Sequence, residues 1–139
     1  MIRTARPEDF ERAKKVIEAA HAGCAFSHIP IDWLNIERLW IAITAQPTTF
    51  SMVVEKDGEI VGALLACITY GTFGGRIATD ILNYSKAESH KLLKLFLLWA
   101  DQHGADDVDI TDISGSDRYR RLLHVLGLRS VGGKYARAR

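Results

Sequence analysis

The chain has 139 residues, 47% apolar and 25% charged, with a formal net charge of +1. This is the composition of a single globular domain, 1–139, with enough apolar chain for a real core, and its near-neutral balance excludes a globally basic nucleic-acid binder. No apolar run reaches membrane-spanning length and MIRTARPEDF has no apolar leader core, so a cytoplasmic protein is expected and membrane association is not.

In chain order, IRTA reads as a short strand, followed by Pro7 at a first-turn position with Glu8 and Asp9 favoured by the helix dipole. Phe10, Ala13, Val16, Ile17 and Ala20 recur at helical spacing, so 7–21 reads as an amphipathic helix. A loop, HAGCAFSHIP, precedes Asp32, a natural N-cap for a second helix in which Trp33, Ile36, Trp40 and Ile43 share a face. Asp57-Gly58 lies between two apolar runs, which predicts a hairpin of strands 50–55 and 59–69. YGTFGG turns into a third long strand, 76–84; a helix over 86–103 follows and stops at Gly104. A strand at 107–113, a turn at SGS, a helix over 117–126 and a last strand near 129–136 complete the order β-α-α-β-β-β-α-β-α-β. Such a chain is α/β (α+β): a mixed, mostly antiparallel twisted sheet flanked by helices, with a right-handed parallel crossover across 76–113.

Two cysteines, Cys24 and Cys67, give no disulfide framework. His21, Cys24 and His28 are metal-ligating types in one loop, but no fourth ligand accompanies them and no metal is expected. After Ser114 seven basic residues stand against one acid, Asp117, and an acidic run over 101–112 precedes them; this reads as two solvated faces or as an oriented partner. The helix containing Leu92, Leu93, Leu95, Phe96, Leu97, Leu98, Trp99 and Ala100 is more apolar than coverage of one sheet face requires. Leu93, Leu97 and Leu98 are its candidate exposed flanks. A homo-oligomer or protein partner is therefore expected, through this helix and the basic C-terminal segment.

Three stretches carry a resemblance: IRTARPEDFERAKKVIEAAH, the hairpin VVEKDGEIVGALLA, and RLLHVLGLRSVGGKY. In this order and spacing they resemble the GCN5-related N-acetyltransferase (GNAT) superfamily over essentially the whole chain. The loop HAGCAFSHIPIDW also resembles acetyltransferase-like proteins encoded by bacteriophages. The resemblance implies an acetyl-CoA site where the fourth and fifth strands splay. The pantetheine arm would lie along Ile81, Leu82 and Asn83, with the diphosphate at the start of the following helix, where unpaired amides and the dipole favour anions.

The sequence departs from that family in three places. The glycine-rich diphosphate loop is reduced to SKAESHK with no glycine; Ser85, Lys86, Ser89, His90 and Lys91 remain as candidate contacts, and Glu88 adds a negative charge. The family's proton-donating tyrosine position is Leu123, leaving Tyr119, one turn earlier, as the candidate acid. Ser116 stands where many relatives have a coenzyme-contacting asparagine. Asp80, on the third long strand, is the candidate general base. Together these departures favour a degenerate acyl-CoA site in a non-catalytic interaction or assembly component, phage-derived and virion-associated. The alternative is a divergent acetyl-CoA-dependent N-acetyltransferase.

Overall fold

The computed structural model describes residues 1–111, 116–131 and 137. Among these residues five strands form one sheet in the order β1-β2-β3-β4-β5: β1 (Ile2–Thr4), β2 (Phe50–Lys56), β3 (Glu59–Tyr70), β4 (Arg76–Ser85) and β5 (Asp107–Asp109). The first three pairings are antiparallel and β4–β5 is parallel, so the sheet is mixed as its patterning predicts. Its hairpin closes with Lys56 opposite Glu59, and Asp57 (φ 52°) and Gly58 (φ 78°) take the two positive-φ positions that a right-twisted two-residue turn requires.

Two helices cover one face: α1 (Phe10–Ala22), preceded by a 3₁₀ turn Pro7–Asp9, and α2 (Trp33–Ala45). The predicted α1 stripe Phe10, Ala13, Val16, Ile17 and Ala20 is buried. It packs with Trp40, Ile43, Val53, Ala63 and Leu65 into one core layer. Asp32 caps α2 by accepting the Asn35 amide at 3.1 Å. The other face carries α3 (Ser89–Gln102) and α4 (Asp117–Val125) over Phe50, Val54, Leu64, Ala66 and Ala78.

Expectation and structure part at three boundaries. The third helix starts at Ser89 rather than near 86, because β4 continues pairing to Ser85, opposite Gly62. The strand expected at 107–113 pairs only over Asp107–Asp109; residues 112–113 and most of the expected last strand (132–136) lie outside the described residues, and 129–131 carry no strand. The flanks of α3 are also redistributed: Leu93 is buried in the core, Leu97 is half-buried, and Leu95 and Leu98 face outward, 38% and 54% exposed. A helix lying in the groove of a twisted sheet buries more than one narrow stripe, which accounts for most of its apolar character.

One ionic cluster ties the first strand to the first helix. Asp9, 2% exposed, accepts both guanidinium nitrogens of Arg3 at 2.8 and 2.9 Å and the Arg6 amide at 2.8 Å. Arg3 also donates to Glu55 on β2 at 2.9 Å, and Arg12 of α1 donates to Glu55. The Arg3 hydrogen bonds hold the Asp9 carboxyl below its ordinary range.

Candidate functional site

The site begins with an irregularity in β4. Leu65 of β3 faces Leu82 and its neighbour Ala66 faces Asp80, so Ile81 is an extra, bulged residue. A bulge bends its strand and increases the local twist. The parallel partner β5 matches β4 only at Ile77, Ala78 and Thr79. From Asp80 onward the outer edge of β4 has no strand partner among the described residues, and the two strands part. Ile81, Leu82 and Asn83, assigned to a pantetheine arm from the sequence, lie on this open stretch.

Side chains bridge the mouth of the splay. Both carboxylate oxygens of Asp80 accept the Thr111 amide at 3.2 Å, and Asn83 Nδ2 donates to Asp80 Oδ2 at 3.4 Å. The same Asn83 nitrogen donates to the Tyr119 phenol oxygen at 2.9 Å. Asp80, Asn83 and Tyr119, separated by up to 39 positions in sequence, therefore meet at one point. Burial pushes the Asp80 carboxyl up to about 6, against the opposing hydrogen bonds from Thr111 and Asn83 and with a smaller contribution from Asp109. A carboxyl in that range serves as a base near neutral pH and still exchanges its proton readily.

Asp80 faces a cleft of about 360 Å³. Its walls include Ile17, Ala20, His21 and Cys24 from the end of α1 and the loop after it, Asp32, Asn35 and Ile36 at the start of α2, and Ile81, Leu82 and Thr111. Among the described residues no lysine or arginine lines it. His21 and Cys24, noticed in the sequence as metal-ligating types, are here wall residues, and the His21 ring pairs through Nε2 with the Ile29 carbonyl oxygen at 2.6 Å. No group of three potential ligands occurs among the described residues. Thr111 was missed in the sequence because its contribution is a backbone amide, for which residue type carries no signal.

Of the predicted diphosphate contacts, Ser85, Ser89 and Lys91 make side-chain contacts within the chain, as does Ser116. Ser85 Oγ accepts the Ala87 amide at 3.2 Å and donates to the Ala87 carbonyl. The Lys86 amide donates to Val61 at 3.1 Å, and Ser89 Oγ reaches the Ser85 carbonyl at 3.5 Å. Lys91 pairs with Glu88 at 3.5 Å, and Glu88 also faces the Met1 ammonium at 3.3 Å. Ser116 caps α4 by accepting the Tyr119 amide at 3.4 Å. Leu123 of α4, which the resemblance places at an acid position, is half-buried and packs against the core layer. An acetyl-CoA donor thus meets a divided fit. The open edge of β4 suits an extended amide-bearing arm. The three-residue connection 86–88 does not suit a diphosphate, since it lacks glycine, engages two of its amides internally and carries a carboxylate.

This combination of a bulged fourth strand, a parallel fifth strand that splays from it, and helices on both faces is the GNAT fold. Solved structures similar to the chain include the ribosomal-protein-alanine N-acetyltransferase from Brucella melitensis biovar Abortus 2308, at 11% identity, 99% coverage of each chain and a TM-score of 0.67. They include an aminoglycoside 6'-N-acetyltransferase from Acinetobacter haemolyticus, at 10% identity over 100% of this chain and 97% of that one, with a TM-score of 0.72. A third is the glucosamine-6-phosphate N-acetyltransferase from Arabidopsis thaliana, at 11% identity over 99% and 97%, with a TM-score of 0.67. No protein-family model and no curated protein matches the sequence.

Proposed function

We propose that the chain is an N-acyltransferase that moves an acyl group from a thioester to a small amine, with Asp80 as the base. The observation that carries this is the placement of one half-buried carboxyl, raised to about 6, where the strand splay opens into a cleft. The thioester supplies an activated carbonyl carbon. The amine attacks it, a C–N bond forms, the C–S bond breaks, and the proton leaving nitrogen passes to Asp80 directly or through one water. Tyr119 accepts its hydrogen bond from Asn83, so its phenol group is oriented at the mouth and supplies a proton to the departing thiolate. Holding both reactants in one cleft supplies much of the remaining rate.

Among the described residues Asp32 and Asp80 are the carboxylates lining the cleft and no lysine or arginine lines it, which favours an acceptor that carries a cationic group beside its neutral attacking amine. The test is release of free thiol from acetyl-CoA, and from a short acetyl thioester, across a panel of small primary amines and diamines. Amine-dependent release that falls by about 100-fold in Asp80→Asn supports the reading. Absence of amine-dependent release across the panel overturns it.

A second reading keeps the fold but not the chemistry: an assembly component, phage-derived, that associates with a second copy of itself. It is favoured by a shallow groove of about 440 Å³ on the outer side of α3, where Ile2, Leu95 and Leu98 lie among Glu88, Lys91 and Lys94. Charges of both signs flanking an apolar strip are self-complementary, as a two-fold contact requires. Light scattering distinguishes it: a dimer that Leu98→Glu converts to monomer supports this reading, and a monomer at all concentrations removes it.

A further inference from the structure

We infer that the donor site reads the pantetheine arm of a thioester and not its nucleotide, so that a short pantetheine-type thioester serves as well as a coenzyme A thioester. This rests on the proposed acyl transfer and concerns the donor end of that site. Its observations are independent of Asp80.

A diphosphate cradle needs several backbone amides pointing into a space that no side chain fills. The connection between β4 and α3 offers few of them: two of its three amides are engaged within the chain, which leaves the first-turn amides of α3 without a glycine loop before them. Its Lys86 amide is bonded to Val61 and its Ala87 amide to Ser85 Oγ. β4 remains paired to its last residue, Ser85, opposite Gly62. The fit there is so close that a Cβ on Gly62 would stand 2.9 Å from Ser85 Cα and overlap the serine side chain. The chain that would have to stand away from the sheet as a loop is instead stitched into it.

The third connection residue is adverse in charge and in shape. Glu88 is the N-cap of α3, and its backbone is left-handed, with φ 56° and ψ 28°. Its side chain gives the helix no cap hydrogen bond, and its carboxylate is held by Lys91 and the Met1 ammonium. The first-turn lysine of the helix, Lys91, is thus paired with a carboxylate, which reduces the positive charge it offers a diphosphate. Past Thr79 the edge of β4 has no strand partner among the described residues, only the side-chain bridges from Asp80 to Thr111 and from Asn83 to Tyr119, and an extended amide-bearing arm is the shape an unpaired strand edge accepts.

Calorimetry and steady-state rates on the intact chain test this with three probes: acetyl-CoA, S-acetylpantetheine and adenosine 3',5'-bisphosphate. The expected result is equal affinity for the two thioesters, within about threefold, equal kcat/KM with one amine, and no competition from millimolar bisphosphate. Two charge-assisted hydrogen bonds to phosphate would favour the coenzyme thioester by about 100-fold, so a preference of that size, or competition by the bisphosphate, overturns the inference while leaving the acyltransferase reading intact. If neither thioester binds or reacts, both fall together. If both bind equally and neither reacts with any amine, the donor inference stands and the acyltransferase reading fails.

Discussion

At the scale of single residues, Asp9 is buried and Asp80 half-buried, and their surroundings act in opposite directions. Asp9 is met by the Arg3 guanidinium, which favours its charged form; Asp80 has amides and a neighbouring acid, and burial dominates. The pH consequences are therefore opposed. The depressed carboxyl of Asp9 contributes stability that is present above its unfolded value and is lost as pH falls through its lower folded value. Asp9→Asn leaves Arg3 facing no charge on that side and is expected to cost about 3 kcal/mol near neutrality, less in acid, measured by urea unfolding at several pH values. The raised carboxyl of Asp80 works the other way: the folded protein loses stability as pH climbs from the ordinary value of 3.8 to about 6. Asp80→Asn lacks that slope, so its thermal midpoint should shift upward relative to the native chain between pH 4 and pH 7. A constant offset across that range would contradict the burial argument. Tyr119→Phe removes the phenol that Asn83 contacts, and transfer should slow by about 100-fold with little change in KM for the amine.

Individual elements were legible in the sequence to the extent that their periodicity was local. The α1 stripe, the Asp32 cap and the Asp57-Gly58 turn each follow from residues within a few positions, and each stands where the pattern puts it. The third helix and the fifth strand were drawn too long. Nothing within SKAESHK reveals that Ser85 pairs across the sheet with Gly62, and the bulge at Ile81 depends on register against β3. The meeting of Asp80, Asn83 and Tyr119 was legible only as separate candidates, because a contact between the fourth strand and the last helix has no local signature. The Gly62–Ser85 contact gives a test at this scale. Gly62→Ala should destabilise the domain by about 1–3 kcal/mol through overpacking, and combining it with Ser85→Gly should recover part of that loss. Additive effects in a double-mutant cycle would mean that the two positions do not share a constraint.

For the molecule as a whole, the fold separates two tasks. One face of the sheet, with α1 and α2, supplies one core layer and most of the cleft wall; the other, with α3 and α4, supplies a second core layer and Tyr119. The splay of β4 from β5 joins them, and its edge is where an acyl donor and an amine would meet. The lost glycines favour a protein without catalysis, and the proposal of catalysis rests on the cleft around Asp80. The most direct test is the pH dependence of kcat/KM for amine-dependent thiol release, with S-acetylpantetheine as donor, in the native chain and in Asp80→Asn. An acid limb bending near pH 6, absent from a variant about 100-fold slower, is the predicted result. Equal rates with the same limb in both proteins would contradict the assignment of Asp80 as the base.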